Sequence, residues 1–309
     1  MSPLKKICVL GSLNIDMTIS VPHFNQPGES VTGTGLAIYT GGKGGNQAIA
    51  AARLGAPVKL VGCLGSDANG KMYRDVLEAE GVDVSSVHMT DKALSGTALI
   101  EVVPSGENRI AVAQGANDIV DEAYVKTCED VIAGCDIFMC QLENPFPAIE
   151  EGIRIAHAHG LTVILDPAPA RPIDGRVLAM CDYITPNETE LEILTGLPVD
   201  TEESAAFAAR TLIEKGAKAV INKRGKAGCL LVTRDEATMY PGFTVKAVDT
   251  TAAGDSFNAG FGVGLALEKD IADAIMMANA VGAISTTRAG AQAAMPKMAD
   301  VEELMNTKK

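Results

Sequence analysis

The chain has 309 residues, 47% of them hydrophobic, and a formal net charge of −13. That acidity argues against nonspecific binding to nucleic acid or to an anionic membrane, although a local cradle of N–H groups can still hold a nucleotide's phosphates. Aromatics at 4%, no Trp and 31 glycines suit parallel strands under closely packed helices better than an aromatic-rich β-sandwich.

The length predicts one large α/β domain, or a core with a small accessory domain. Residues 1–6 run straight into a β-rich segment at 7–10 with no signal-peptide core. Helical patterns at 47–54 and 70–80 flank an apolar run at 58–62. The alternation resumes as 136–141, 147–159, 162–165, 183–185, 204–215, 219–222 and 229–232. Such alternation predicts βαβ units and a mainly parallel sheet covered by helices. A strand at 243–248 and two Ala- and Gly-rich helices over 255–287 complete the pattern. Residues 15–21, 30–39, 96–103 and 109–114 are β-like with no helix between them. They read as a small, mostly antiparallel lid made of two insertions, or else as strands extending the main sheet.

The seven cysteines contain no C-x-x-C, and four of them (Cys8, Cys63, Cys140 and Cys229) lie in apolar strand-like runs. A reduced, cytoplasmic protein is expected, and no apolar run approaches transmembrane length. His157 and His159 are two apart on a predicted helix and diverge, while His23 and His88 stand alone, so no His-based metal site is expected.

Four motifs carry chemistry. Gly11-Ser-Leu-Asn14-Ile-Asp16 follows the first strand without the glycine fingerprint of dinucleotide folds. Asn14 and Asp16, two apart on an extended segment, point the same way and can grip vicinal hydroxyls, or serve as turn residues. Gly41-Gly42-Lys43-Gly44-Gly45-Asn46-Gln47 opens a helix and fails the Walker A spacing, since Ala37 precedes Gly42 by five and Gly44 follows Lys43. Lys43 and Asn46 still offer donors to sugar hydroxyls or a phosphate. Asn187 and Glu190 fall on one face of the next helix start, suited to hydrated Mg²⁺ or phosphate oxygens, or to a helix cap. Glu143 adds a carboxylate at another strand end. In Asp249-Thr-Thr-Ala252-Ala253-Gly254-Asp255, small residues let N–H groups crowd an anion at a helix start, with Asp255 placed to take a proton from a hydroxyl. The competing account is a plain strand-to-helix turn with Asp255 as N-cap.

Together, in this order and spacing, these motifs resemble the ribokinase-like sugar kinase family over residues 7–296. The resemblance implies a parallel α/β core (residues 1–13, 41–95 and 115–309) with a discontinuous β lid (14–40 and 96–114) through which such proteins often form homodimers. It implies ATP-dependent phosphorylation of a pentose, D-ribose at its 5-hydroxyl first, with deoxyribose, another sugar, a nucleoside or a non-catalytic sugar sensor as alternatives. In that frame Asn14, Asp16, Gly42, Lys43, Asn46 and Glu143 hold the sugar. Asp255 is the base, and Ala252, Ala253 and Gly254 form the anion hole. Asn187 and Glu190 organise Mg²⁺ and the ATP phosphates, Glu190 through water, while Lys223, Gly225, Gly228 and Asn279 line the nucleotide site. A monovalent cation, K⁺, is implied near Asp249, Thr251, Ser285, Arg288 and Gly290. Three departures from the family pattern stand out. Lys223-Arg224 places two cations near the nucleotide, Gly45 replaces a usual Ala and is expected to loosen its loop, and Ala294 replaces a frequent Ser near the cation site.

Overall fold

The structure, a computed structural model, describes residues 4–307, so the first three residues of the segment expected to lack a leader lie outside it. Thirteen strands occur among the described residues: β1 (Ile7–Leu10), β2 (Asn14–Ser20), β3 (Thr34–Gly41), β4 (Val58–Gly65), β5 (Asp83–Thr90), β6 (Gly96–Val102), β7 (Asn108–Ala113), β8 (Ile137–Cys140), β9 (Thr162–Leu165), β10 (Tyr183–Ile184), β11 (Ala219–Lys223), β12 (Gly228–Val232) and β13 (Ala237–Pro241). The helices are α1 (Lys43–Arg53), α2 (Ala68–Ala79), α3 (Glu122–Thr127), α4 (Glu129–Ala133), α5 (Phe146–Ala158), α6 (Gly175–Leu178), α7 (Glu188–Thr195), α8 (Glu202–Glu214), α9 (Ala253–Ala266), α10 (Ile271–Ser285), α11 (Ala291–Ala294) and α12 (Met298–Asn306).

Nine strands form one sheet in the order β13-β12-β11-β10-β9-β8-β1-β4-β5. From β5 to β11 every neighbour is parallel, and β12 and β13 add an antiparallel edge. Strand residues alternate between two cores because successive side chains point to opposite faces. Ile7, Val9, Ile137 and Met139 pack under α1, α2, α9, α10 and α12. Cys8, Leu10, Phe138 and Cys140 pack under α3 to α8. All seven cysteines are buried and free, acting as small apolar residues. The fold is the expected α/β class, a mostly parallel sheet flanked by helices beside a separate small sheet.

That second sheet is four-stranded, β3-β2-β6-β7, so the four β-like runs pair with one another rather than extend the main sheet. Two of its three pairings are antiparallel and β2–β6 is parallel. Two strands escaped the sequence reading. β5 is polar at Asp83, Ser85, Ser86 and His88, and β13 is an exposed edge. The strand expected at 243–248 does not form. Phe243, Val245 and Ala247 line a cavity instead of a sheet face.

The parallel strands end together on one side. Ser12, Glu143, Asp166, Asn187 and Lys223 all lie at or just past the C-terminal ends of β1, β8, β9, β10 and β11. In open α/β sheets this is where ligands bind.

Candidate active site

Helix α9 supplies the centre. Its N-cap, Ala252, sits at φ 58°, a left-handed conformation costing a residue with a Cβ about 1–2 kcal/mol, and no side chain caps the helix. Such strain survives only where the surroundings impose it, and it clusters at functional sites. The uncapped first turn opens into a cavity of about 460 Å³ lined by Lys43, Asp166, Asn187, Glu190, Lys223, Ala252, Ala253, Gly254 and Asp255. Backbone N–H groups and the positive end of the helix dipole make this a place for an anion. Asp255 is the third residue of α9 and not its N-cap, so its carboxylate is free for other partners.

Those partners come from α1. Asn46 Nδ2 donates to Asp255 Oδ2 at 2.9 Å, and Gln47 Nε2 donates to Asp255 Oδ1 at 3.3 Å and to Asp166 Oδ2 at 3.2 Å. Gln141 Nε2 in turn holds Gln47 Oε1 at 2.8 Å. Burial pushes the Asp255 carboxyl up, to about 6. Lys43 and the Asn46 N–H pull it down, while Asp166 and Glu143 push it further up. A carboxylate poised there suits a general base working near neutral pH.

The loop into α1 is fixed by backbone constraints. Gly42 lies at φ 81°, and a Cβ there would sit 2.7 Å from the Asn14 nitrogen, so only glycine fits. Lys43 is buried, which alone would lower its pKa. Asp255, Asp166, Glu143 and Glu190 outweigh that and hold it above its usual range, so it is charged. Glu143 accepts from the Ser12 hydroxyl and, at 3.2 Å, from the Lys43 N–H. Asn14 and Asp16 point the same way from β2. Asn14 Oδ1 accepts from Asn117 Nδ2 at 2.8 Å, and burial with Glu143 and Asp255 nearby raises Asp16 to about 6.

Asn187 and Glu190 form a full capping box on α7, with Glu190 Oε2 accepting from the Asn187 N–H at 2.7 Å and Asn187 Oδ1 from the Glu190 N–H at 2.8 Å. The capping account is therefore correct, and both residues also line the cavity. Of the two cations at the end of β11, Lys223 pairs with Asp166 at 2.9 Å inside the cavity. Arg224 turns to Asn222 Oδ1 at 3.2 Å and to Glu188 at 3.3 Å, and is committed to the scaffold. A neighbouring, more apolar cavity of about 380 Å³ is lined by Gly225, Gly228, Phe243, Val245, Ala247, Phe257, Asn279 and Ala283. Asn279 Nδ2 is tied to the Tyr240 carbonyl at 3.2 Å.

The Asp249 loop leads into the start of α9. Asp249 Oδ1 accepts from the Thr251 N–H (2.9 Å) and hydroxyl (2.6 Å), and Oδ2 from the Gly290 N–H at 2.9 Å. Burial works against its charge, but those bonds prevail and hold the carboxyl below its usual range. The structure does not bring the Ser285 and Arg288 side chains to Asp249. The Ser285 hydroxyl bonds the Gly282 carbonyl at 2.9 Å, and Arg288 is exposed. Gly45 also has a packing reason to be glycine. A Cβ there would meet the Tyr73 hydroxyl at 1.9 Å, so Gly45 makes room for that ring.

Asp166, Gln47, Asn117 and Gln292 also belong to the site and were missed. Asp166 follows β9 directly, so the strand-end rule that selected Glu143 could have found it.

An anion cradle, a buried carboxyl raised to about 6, and lysines at the start of α1 and the end of β11 fit a phosphotransferase acting on an alcohol. Residues 4–298 match the pfkB family of carbohydrate kinases. The chain is 43% identical to the ribokinase of Haemophilus influenzae over 301 residues, covering 97% of this chain and 98% of that protein. It is 34% identical to the deoxyribokinase of Salmonella typhimurium, covering 97% and 98%. The structure of Arabidopsis thaliana ribokinase complexed with ribose and ATP superposes with a TM-score of 0.93 at 30% identity, covering 98% of this chain and 99% of that one. The chain belongs to the pfkB family of carbohydrate kinases.

Proposed function

We propose that this enzyme transfers the γ-phosphoryl group of ATP to the 5-hydroxyl of D-ribose. The observation that carries the reading is Asp255, buried at the uncapped start of α9 with its carboxylate held by Asn46 and Gln47. Asp255 takes the hydroxyl proton as the sugar oxygen bonds to the γ-phosphorus. The bond from that phosphorus to the bridging oxygen breaks, and ADP leaves. The Ala253 N–H is taken by the Thr250 carbonyl at 3.2 Å, so the backbone of Ala252 and Gly254, with Lys43, is left to face the charge on the transferring group. Asn14, Asp16, Glu143 and the Lys43 loop hold the sugar. The more apolar cavity beside Gly225, Gly228 and Asn279 takes the nucleoside.

Five carboxyl groups (Asp16, Glu143, Asp166, Glu190 and Asp255) surround two ammonium groups (Lys43 and Lys223) in this region. A polyphosphate entering so acidic a place needs compensating charge, which fits a divalent cation held through water by Glu190 with Asn187 beside it. Mg²⁺ would supply neutralisation of the phosphate oxygens. The ionised Asp249, braced by Thr251 and Gly290, fits a monovalent cation such as K⁺ beside the anion hole, with carbonyls of residues 285, 288 and 290 as further donors.

Residues 14–40 and 96–114 are read as a lid over a core of 1–13, 41–95 and 115–309. Its exposed apolar residues fit a homodimer formed through the lid. One face of Phe24 is occupied by Arg109, whose guanidinium lies 4.2 Å from the ring centroid, which weighs against stacking of a nucleoside base there. ADP release from ATP and Mg²⁺ with D-ribose against 2-deoxy-D-ribose tests the substrate. Higher kcat/KM for ribose supports the reading, whereas preference for deoxyribose transfers it to the sugar of the Salmonella relative.

A further inference from the structure

Gln292 follows the Asp249–Gly290 contact by two residues and reaches into the catalytic centre from α11. It is buried, and its side chain makes three contacts. Nε2 donates to Asn46 Oδ1 at 3.0 Å and to the Tyr73 hydroxyl at 2.8 Å, and Oε1 accepts from the Thr40 hydroxyl. Tyr73 is fully buried, and its hydroxyl donates to the Gly41 carbonyl at 2.5 Å.

The direction of every bond in this chain follows from one end. A carbonyl can only accept, so the single Tyr73 proton goes to Gly41. Tyr73 must then accept its second bond, and Gln292 must present its NH₂ group there. The same NH₂ group reaches Asn46, which can answer only with Oδ1. Asn46 is left with its own NH₂ group facing Asp255. Were the Asn46 amide reversed, an oxygen would face the carboxylate and Gln292 would face a second donor.

We propose that Gln292 and Tyr73 are positioning residues for the base: they fix the polarity of the Asn46 amide so that it donates to Asp255. The inference rests on Asp255 being the base. Gly45 is part of the same device, because its missing side chain is the space that the Tyr73 hydroxyl occupies. An N–H donated to a carboxylate favours the ionised form, so the chain keeps Asp255 deprotonated and aimed. The other charged and titratable groups near the carboxyl are Lys43 from α1, Asp16 from β2, and Asp166 and Glu143 from the strand ends. Tyr73 from α2 stands behind Asn46.

The test compares pH profiles of kcat for the full chain and for Gln292→Ala, Gln292→Glu and Tyr73→Phe, with Asp255→Asn as control. Activity falls as pH drops through the pKa of the base, so a weakened Asn46 bond moves that acid limb to higher pH. The expected shift is about one unit for both Gln292 variants and less for Tyr73→Phe, with kcat at pH 6.5 down about threefold in the Gln292 variants and the KM for ATP unchanged. Tyr73→Phe keeps its bulk, so the readout survives even if Gln292→Ala folds poorly. Lower melting temperatures with the acid limb unmoved in every folded variant would overturn the proposal. Asp255→Asn retaining wild-type kcat and its acid limb would overturn the base assignment beneath it, a separable outcome.

Discussion

The two sheets use similar strand residues to different ends. In the nine-stranded sheet the central strands divide their side chains between two cores, and Ile7, Cys8, Val9 and Leu10 are all fully buried. In the four-stranded sheet Leu36 is 67% exposed, Leu99 55% and Ile110 56%. Register places Tyr39, Ile110 and Val112 on the face that carries Asp16, and Ile38 and Leu99 on the opposite face. A sheet that merely closed a core would leave one polar face. Apolar exposure on both faces suits a surface that meets something outside its own sheet. The large sheet aligns its parallel strand ends on one side, and the small one stays separate from it.

Substitutions beside each sheet sharpen this contrast. Phe261→Ala, under the large sheet, is expected to cost about 3–5 kcal/mol in chemical denaturation, whereas Ile110→Ala in the small sheet should stay within about 0.5 kcal/mol for the monomer. Equal costs at the two positions would erase the distinction. At the seam between the sheets, Gly45→Ala places a methyl group against the Tyr73 hydroxyl. An overpacking cost of about 1–3 kcal/mol is expected, checked by the same denaturation midpoint.

A smaller effect separates site from scaffold. Asp16 and Asp255 both stand near 6 in the folded chain, above the ordinary 3.8. A carboxyl raised on folding stabilises most below its unfolded pKa, and that contribution is lost as pH rises through the folded value. Both carboxylates therefore weaken the ligand-free fold at pH 7.5. Asp16→Asn should raise the melting temperature there by about 2–5 °C and leave it unchanged near pH 3.5. A lowered melting temperature at pH 7.5 would show instead that the charge is well accommodated.

Much of the site was legible because it is local in sequence. Gly42 to Gln47 and Ala252 to Asp255 are each a helix start whose residue types state their purpose, and the βαβ rhythm follows from alternating apolar runs. What was not legible depends on long-range contact. The bonds of Asn117 to Leu13 and Gln292 to Asn46 join segments far apart in the chain, and an isolated Asn or Gln carries no signal of such a partner. The segment 243–248 misled for a related reason. Phe243, Val245 and Ala247 face a cavity, and residue type alone cannot tell a cavity wall from a sheet face.

The central claim is that Asp255 is the base for phosphoryl transfer, and kcat of Asp255→Asn with D-ribose, ATP and Mg²⁺ tests it most directly. The account predicts a fall of about 10²–10⁴-fold, with the circular dichroism spectrum of the folded chain retained. Turnover within a few-fold of wild type in that folded variant would contradict it.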